Sequence, residues 1–577
     1  MAQQQAERAV RYEPSEPIPE RLAAALGFQS VIIILAGIVL TPVIVLRAAG
    51  APASDVIWAV FMAMLVSGAI TVVQGLKVGR FGAGYILFMG TSGAFISVSI
   101  EAATAGGLAL LATLVVASAL LQFPLAAKLG LLRRIITPTV GGTAIMLIAV
   151  TVMPIVFGML TRLPAGPDVE PSGAPWVAVA TLVVILGCSI FANRTWRLWA
   201  PLLGIVVGVL LALPFGLVDF SKVATAAWVG LPQWDWPGFD TSFGLDFWGL
   251  LPAFLVVTLV GAIETFGDGM AIQRVSWRKP RAVDFRAVQG AVYADGLGNL
   301  LSGLGGTLPN TTYSTSIALV ELTGVAARRV AIWGGLFLMA LAFSPKLAQL
   351  LLAIPDQVAA AFIFVILILL FMQGLKLVTA EGLTYEKTIV VGFSFWLGIG
   401  FQDQAIFHTH LPPWAAAVLD NGMTSGTLVA ILLTALFAIK GGRRRRKEVP
   451  LALESLPVLQ TFLRQAAQQA GWDKPAQARL ALAMEETLQV LLDQVSDDET
   501  RRLQLTVRQE EASLLLDLVV SPRSANLEDE LAQLAGSDRP EAEALPFRIL
   551  ASVVEDLRHR QYRGIDFVTI RVASRPL

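Results

Sequence analysis

Stretches of about twenty apolar residues, each long enough to cross a bilayer as a helix, follow one another from residue 25 to residue 440. Full-length windows fall near 25–47, 54–76, 106–127, 138–160, 174–193, 199–218, 247–272, 329–350, 357–378, 386–402 and 419–440. Three further segments are short or interrupted. The first, GYILFMGTSGAFISVSI from Gly84, is broken at Gly90, Thr91, Ser92 and Gly93; the others lie near 287–304 and 307–324 and are rich in Gly and Pro. The pattern therefore predicts about fourteen membrane segments. Halving the series pairs the third segment with the tenth, the two most interrupted, and broken helices at matching places in two halves point to the substrate site of an inverted-repeat transporter.

From about Val449 the pattern changes to that of a water-soluble α/β domain. RLALAMEETLQVLLDQV reads as an amphipathic helix and LQLTVRQEEASLLLDLVVS as two strands. FRILASVVEDLRHRQYRGIDFVTIRVA reads as a helix, a turn and a final strand. Four regions result: a cytoplasmic tail over 1–22, a transmembrane domain over 23–440, a basic linker over 441–448 and a cytoplasmic α/β domain over 449–577.

Composition agrees. Of 577 residues, 55% are hydrophobic and 15% charged, and the mean hydropathy of +0.67 excludes a purely soluble protein. Lys plus Arg and Asp plus Glu both number 43, so nothing in the charge calls for a nucleic-acid partner. With the N-terminus inside, Lys77, Arg80, Lys128, Arg133, Arg134, Arg194, Arg197, Arg274 to Arg281, Arg328, Arg329, Lys376 and Lys387 fall on the inner side. Only Arg47, Arg162, Lys222 and Lys346 fall outside, which orients both termini toward the cytoplasm. The polar N-terminus runs straight into a full span, so no cleavable signal peptide is expected. The run from Arg443 to Lys447 reads as a topology anchor, Trp234 and Trp236 as an interfacial belt, and His408 and His410 as loop residues. Cys188 stands alone and forms no internal disulfide.

The candidate chemistry sits in one stretch. Glu264 and Asp268 lie one helical turn apart within an apolar span and share a face. Carboxylates cost about 2.5–3.5 kcal/mol at the centre of a spanning helix, so they are kept mainly where they face a cavity or pathway. Glu264 reads as a ligand or proton site, and Asp268 either supports that site or hydrogen-bonds a broken-helix backbone. Asp295 either takes part in proton coupling or tethers the third or tenth segment. Tyr313, Thr315 and Ser316 either line the pocket or satisfy the interrupted backbone.

These residues resemble those of the nucleobase/ascorbate transporter family, the xanthine and uracil permeases, over about residues 20–440. ETFGD, Glu264 to Asp268, is similar to the E-S-x-G-D pattern of xanthine-type members. GFQS at Gly27 to Ser30 stands where that family has G-x-Q-H, and YADGLGNLLSGLGGT from Tyr293 to Thr307 is also similar. TSIALVELTG, Thr315 to Gly324, aligns with the family signature, with Thr323 and Gly324 matching. Thr315, Ser316, Ala318 and Ser30 depart from it, which makes the pocket roomier or differently shaped.

The resemblance implies an all-α polytopic protein of two inverted seven-segment repeats, with segments 3 and 10 meeting as short strands between a core and a gate. It implies proton- or sodium-coupled symport of a nucleobase, such as xanthine, urate or uracil, across the cell inner membrane, by a homodimer with no cofactor and no metal. Glu264 would then accept hydrogen bonds from the base, with Gln29, Phe95, Tyr313, Thr315 and Ser316 around it, and Asp268 and Asp295 would support the site or the proton coupling. An anion carrier of the same fold and a membrane sensor are the competing readings; two acids in the cavity argue against the first. The C-terminal domain resembles the kinase-like ATPase fold of anti-sigma-factor kinases. It has Gln489 in place of a metal-binding Asn and no glycine-rich lid between Val519 and Pro546, so it reads as a non-catalytic regulatory module with a cytoplasmic partner yet to be found.

Overall fold

The computed structural model describes residues 10–127, 137–163, 170–232, 236–279, 281, 283–379, 382–402, 419, 421–440, 445–493, 502–510, 513–521, 554, 556–562 and 565–573. Trp234, His408, His410, Arg443 and residues 522–546, most of the stretch read as lacking a glycine-rich lid, lie outside these. The chain divides into two units, Met1–Ser276 with Ala287–Ala435, and Trp277–Arg286 with Leu436–Leu577.

The first unit is built of helices α1 (Glu20–Ala48), α2 (Ala53–Leu76), α3 (Ile96–Ala127), α4 (Pro138–Thr161), α5 (Gly173–Phe191), α6 (Arg194–Ala212), α7 (Leu245–Val275) and α8 (Phe285–Gly305). They are followed by α9 (Thr315–Thr323), α10 (Arg329–Ala342), α11 (Pro345–Leu352), α12 (Asp356–Thr379), α13 (Tyr385–Phe401) and α14 (Gly422–Lys440). Among the described residues eight helices are long and apolar enough to cross a membrane, or nine if α10 and α11, bent by 84°, are one span. The chain is thus a multi-pass membrane protein. The count falls below the fourteen expected segments because several of those segments are realised as short helices. Two others share one helix: α3, which breaks at Gly106 and Gly107, the latter at φ 67°, carries the end of the third expected segment and all of the fourth.

Within this unit, where one hydrophobic core joins Phe95, Ile145, Phe254 and Val358, two groups of helices, here called bodies, pack most closely. In one, α10 packs on α2 and α1, and α7 packs on α3; in the other, α12 packs on α4 and α5, α5 on α6, and α13 on α4. Glycines permit the closest crossings, as expected where van der Waals contact drives helix association in lipid. A Cβ on Gly68 would stand 2.7 Å from the Gly335 carbonyl oxygen, and one on Gly142 2.5 Å from that of Gly374. The former crossing joins α2 to α10, the latter α4 to α12.

Two three-residue strands interrupt the first body. Strand β1 (Met89–Thr91) pairs antiparallel with β2 (Asn310–Thr312), with Met89 opposite Thr312 and Thr91 opposite Asn310. Extended backbone inside a membrane protein must find its hydrogen bonds within the protein. Here the ladder is extended by Tyr313 N–H to Phe88 O at 2.8 Å and Ser92 N–H to Pro309 O at 2.9 Å.

The second unit carries an antiparallel sheet of order β3-β4-β5-β7-β6. Its strands are β3 (Arg445–Pro450), β4 (Arg502–Glu510), β5 (Ser513–Ser521), β6 (Asp556–Tyr562) and β7 (Ile565–Ala573). Alternate residues Leu503, Leu505 and Val507, Leu514 to Val520, and Val568, Ile570 and Val572 share a core with α15 (Leu456–Gln469) and α16 (Lys474–Asp493). Two elements differ from the sequence reading. Arg445 to Glu448, read as linker, form an edge strand whose partner is β4. DLRHRQY, read as the end of a helix and a turn, is strand β6.

Candidate functional site

Strands β1 and β2 each lead into a helix start, a one-turn 3-10 segment at Gly93–Phe95 before α3 and the first turn of α9 at Thr315. First-turn N–H groups have no partner within their own helix, and each helix start carries the positive end of the helix dipole. Helix α7 packs against both β2 and the 3-10 turn. Its Phe254 ring meets the fully buried Phe95 ring at 6.0 Å between centroids.

Glu264 and Asp268 sit on the face of α7 turned to these starts and are differently committed. Asp268 is 5% exposed, and its two oxygens accept the Thr312 and Ser314 hydroxyls, each at 2.8 Å. It braces β2 and the entry to α9, through side chains and not the backbone bond that the sequence left open. Glu264 is half-buried, lies within electrostatic reach of Asp268, Asp295 and Tyr313, and makes no hydrogen bond or ion pair with any described residue. It is the one acid of the three whose oxygens both remain available to a ligand.

Asp295, on α8, is completely buried and accepts the Gln122 amide at 2.5 Å. Gln122 Oε1 accepts from Asn299 Nδ2 at 2.9 Å, Asn299 Oδ1 accepts the Asn310 N–H at 2.6 Å, and Asn310 Nδ2 donates to Ser67 at 3.0 Å. A chain of amides therefore connects Asp295 to β2. A parallel set holds β1: the Thr71 hydroxyl accepts the Met89 N–H at 2.9 Å, and the Gln74 amide reaches Met89 Sδ at 3.5 Å while donating to the Ala291 carbonyl of α8 at 3.1 Å.

Tyr313 is half-buried, and its hydroxyl donates to the Thr91 carbonyl at 2.9 Å. Thr315 is exposed at the start of α9. Ser316, expected at the pocket, is instead fully buried. Its hydroxyl donates to the Tyr313 carbonyl at 2.7 Å and accepts the Phe88 N–H at 2.9 Å, which leaves it no proton for a ligand. Gln29 is half-buried and bonded to no described residue. Its neighbour Ser30 returns its hydroxyl to the Leu26 carbonyl at 2.7 Å, and it is Ser30 that borders a small apolar cavity with Ile33, Ile34, Phe88, Leu198, Thr315 and Leu319. The structure thus brings Glu264, Asp268, Phe95 and Tyr313 around one place, leaves Thr315 at the small apolar cavity beside Ser30, and turns Ser316 to bracing.

Sequence reasoning missed Gln74, Gln122 and Asn299, buried amides inside apolar spans. It also missed Glu101, a carboxylate in ISVSIEAATAG that the cost of a membrane charge alone singles out.

A sequence model for a permease family, that of the xanthine and uracil permeases, matches residues 22–405. Xanthine permease XanP of Escherichia coli is 26% identical over 450 residues, covering 75% of this chain and 95% of that protein. Nucleobase transporter PlUacP of Paenibacillus larvae is 26% identical over 435 residues, covering 75% and 98%. Xanthine permease XanQ of Escherichia coli is 27% identical over 438 residues, covering 71% and 90%. Among solved structures, the transmembrane domain of the cyanobacterial bicarbonate transporter BicA superposes with a TM-score of 0.46 at 18% identity, covering 74% of this chain and all of that one. SLC26A9 gives 0.49 at 13%, covering 80% and 76%.

Proposed function

The chain belongs to the xanthine/uracil permease family, and from that premise we propose that it is a proton-coupled symporter of a nucleobase, of the purine type, working by alternating access. Membership makes it a transporter and not an enzyme. The observation that carries the reading is the contrast on α7. Asp268 is consumed by two hydroxyls, whereas Glu264, one turn away and half-buried, has both oxygens free.

A nucleobase is a flat ring whose edge alternates N–H donors and carbonyl acceptors. Glu264 accepts from the ring N–H groups, and the positive dipole ends at the starts of α3 and α9 face the ring carbonyls, with the Thr315 N–H as donor, since the N–H groups of Phe95, Ser316 and Ile317 are already held by the Ser92, Tyr313 and Ser314 carbonyls. The Phe95 side offers an apolar face to the ring plane, and Tyr313 and Thr315 border the opposite edge. With Glu264, Asp268 and Asp295 gathered near the two strands and no cation paired with any of them among the described residues, loading a neutral base is accompanied by a proton. Asp295 and its amide chain hold β2 in place while this happens.

Thr315 is shorter than the amide or carboxylate that the family carries there, so this site accepts a bulkier purine edge. Two inverted seven-segment repeats, a homodimer, inner-membrane location and cytoplasmic termini complete the reading, with the C-terminal unit as a regulatory module. Uptake of radiolabelled xanthine, urate and uracil by cells expressing the full chain tests it. Saturable uptake of a purine, abolished by a protonophore, is the expected result. Purine uptake that ignores the protonophore contradicts the coupling, and absence of uptake for all three contradicts the substrate class.

A further inference from the structure

At the end of the bundle where α1 runs into α2, two polar ties cross from the site-bearing body to the other. Arg47, at the last turn of α1, donates from Nη1 to Asp356 Oδ1 of α12 at 3.0 Å and from Nη2 to the Leu352 carbonyl at 2.7 Å. The pair is largely withdrawn from solvent, with side-chain exposures of 33% and 17%. Deeper, Glu101 of α3 accepts the Asn421 amide on both oxygens, at 3.0 and 3.2 Å, and the Ser97 hydroxyl at 3.3 Å. Asn421 caps α14: its Oδ1 takes the Thr424 N–H at 3.0 Å, which fixes the amide so that Nδ2 faces Glu101. Helix α14 belongs with the second body, since Gly422 and Gly426 pack on Gly398 and Ser394 of α13 and on Leu147 of α4.

Both ties lie at the same end. Trp58, near the start of α2, donates to the Gly305 carbonyl at 2.8 Å, and Trp236 donates to the neighbouring Leu304 carbonyl at 2.9 Å. The segment that follows Trp236 reaches α3, where the Asp240 N–H bonds Thr113 at 3.0 Å. The break of α3 at Gly106 therefore sits at the level of the α1–α2 corner. Glu101 lies between that break and the Gly93–Phe95 turn, about 9 Å along the helix from Phe95.

We propose that Arg47–Asp356 and Glu101–Asn421 form a two-point latch that holds the site-bearing body to its neighbour on this side, and that both ties release in each transport cycle. Glu101, Asn421, Arg47 and Asp356 are positioning residues; none touches the ligand. The idea rests on the transport reading, because only a carrier whose bodies part needs its ties to break. The geometry suits a latch better than a permanent brace. The ion pair opens to a crevice lined by Arg47, Arg162, Lys222, Asp219 and Asp356, the second tie is made by one neutral amide, and both can exchange their partners for water as the bodies separate.

The test uses the full chain with Cys188→Ser and a reporter cysteine, Val56→Cys, at a buried position that borders this crevice. The rate of alkylation by a membrane-impermeant maleimide is compared among the reporter alone, Arg47→Ala, Asn421→Ala and the charge-swapped Arg47→Asp/Asp356→Arg. The latch predicts that each single change raises the labelling rate by about fivefold and that the swap returns it toward the reporter's. It also predicts that thermal stabilisation by xanthine is kept in Asn421→Ala while the uptake rate changes. Labelling that is equal in all four proteins overturns the proposal, as does acceleration that the swap does not reverse, the mark of general loosening. Labelling needs no substrate, so the latch stands or falls separately from the nucleobase assignment.

Discussion

The ring of Tyr313 lies against the backbone of Gly90, so close that a Cβ on Gly90 would stand 2.4 Å from Tyr313 Cζ, while the Tyr313 hydroxyl holds the carbonyl of Thr91 at 2.9 Å. The bond ties the segment after β2 to the end of β1, across the two halves of the chain. Any side chain at residue 90 must therefore expel the ring. Gly90→Ala is expected to lower uptake at least tenfold and to reduce thermal stability, because the methyl displaces the ring whose hydroxyl holds the Thr91 carbonyl. Adding Tyr313→Ser removes the clash, and partial recovery of stability in the double variant, read by thermal melting, checks the cause.

Asp268 accepts two hydroxyl bonds inside the protein, and hydrogen bonds to charged groups contribute about 1.5–3 kcal/mol each. Asp268→Ala leaves the Thr312 and Ser314 hydroxyls without their acceptor. We expect a loss of about 3 kcal/mol, measurable as a lowered melting temperature in detergent, with Asp268→Asn intermediate because its amide oxygen still accepts one bond.

Gln122 connects Asp295 to Asn299, and through it to the Asn310 N–H. Gln122→Leu keeps the volume and cuts the chain at its middle, exposing a buried carboxylate and a buried amide to apolar surroundings. The expected outcome is uptake reduced by at least tenfold, with Gln122→Glu no better, since a second acid beside Asp295 repels it. Paired uptake and melting measurements on both variants check this.

In the C-terminal unit Glu486 is buried on α16, and burial together with the neighbouring Glu485 pushes its carboxyl above the ordinary range. A raised carboxyl in the folded state binds its proton more readily than the unfolded chain does, so folding stability falls as pH rises through that range. Glu486→Gln mimics the protonated form. It should raise the melting temperature of this unit at pH 8 and leave it unchanged at pH 4, where both states of the native residue are protonated.

Much of the membrane architecture was legible in the chain because lipid imposes its own length rule: the apolar windows at 25–47 and 54–76 became Glu20–Ala48 and Ala53–Leu76 with only their ends shifted. The interruptions at Gly90–Gly93 and Gly305–Pro309 announced non-helical backbone, and the structure has β1 and β2 beside them. Glu264 and Asp268 were visible as charges in apolar surroundings. Their division of labour was not, because it depends on Thr312 and Ser314, more than forty residues away. Ser316 misled for a related reason: a hydroxyl at a helix start reads as a ligand group until its backbone partner Phe88, 228 residues distant, is known. The amide chain and the ties of Arg47 and Glu101 likewise join residues whose spacing carries no period. DLRHRQY shows the opposite failure, a strand whose charged residues obscure its alternation until β7 pairs with it.

The most direct test of the site is isothermal titration of the purified full chain with xanthine, repeated with Glu264→Gln. If Glu264 accepts the base's N–H groups, the parent protein binds and the variant, whose amide keeps the shape but loses the charge, binds at least a hundredfold more weakly, while both melt at similar temperatures without ligand. Equal affinity in the two proteins would contradict the assignment and move the site away from α7.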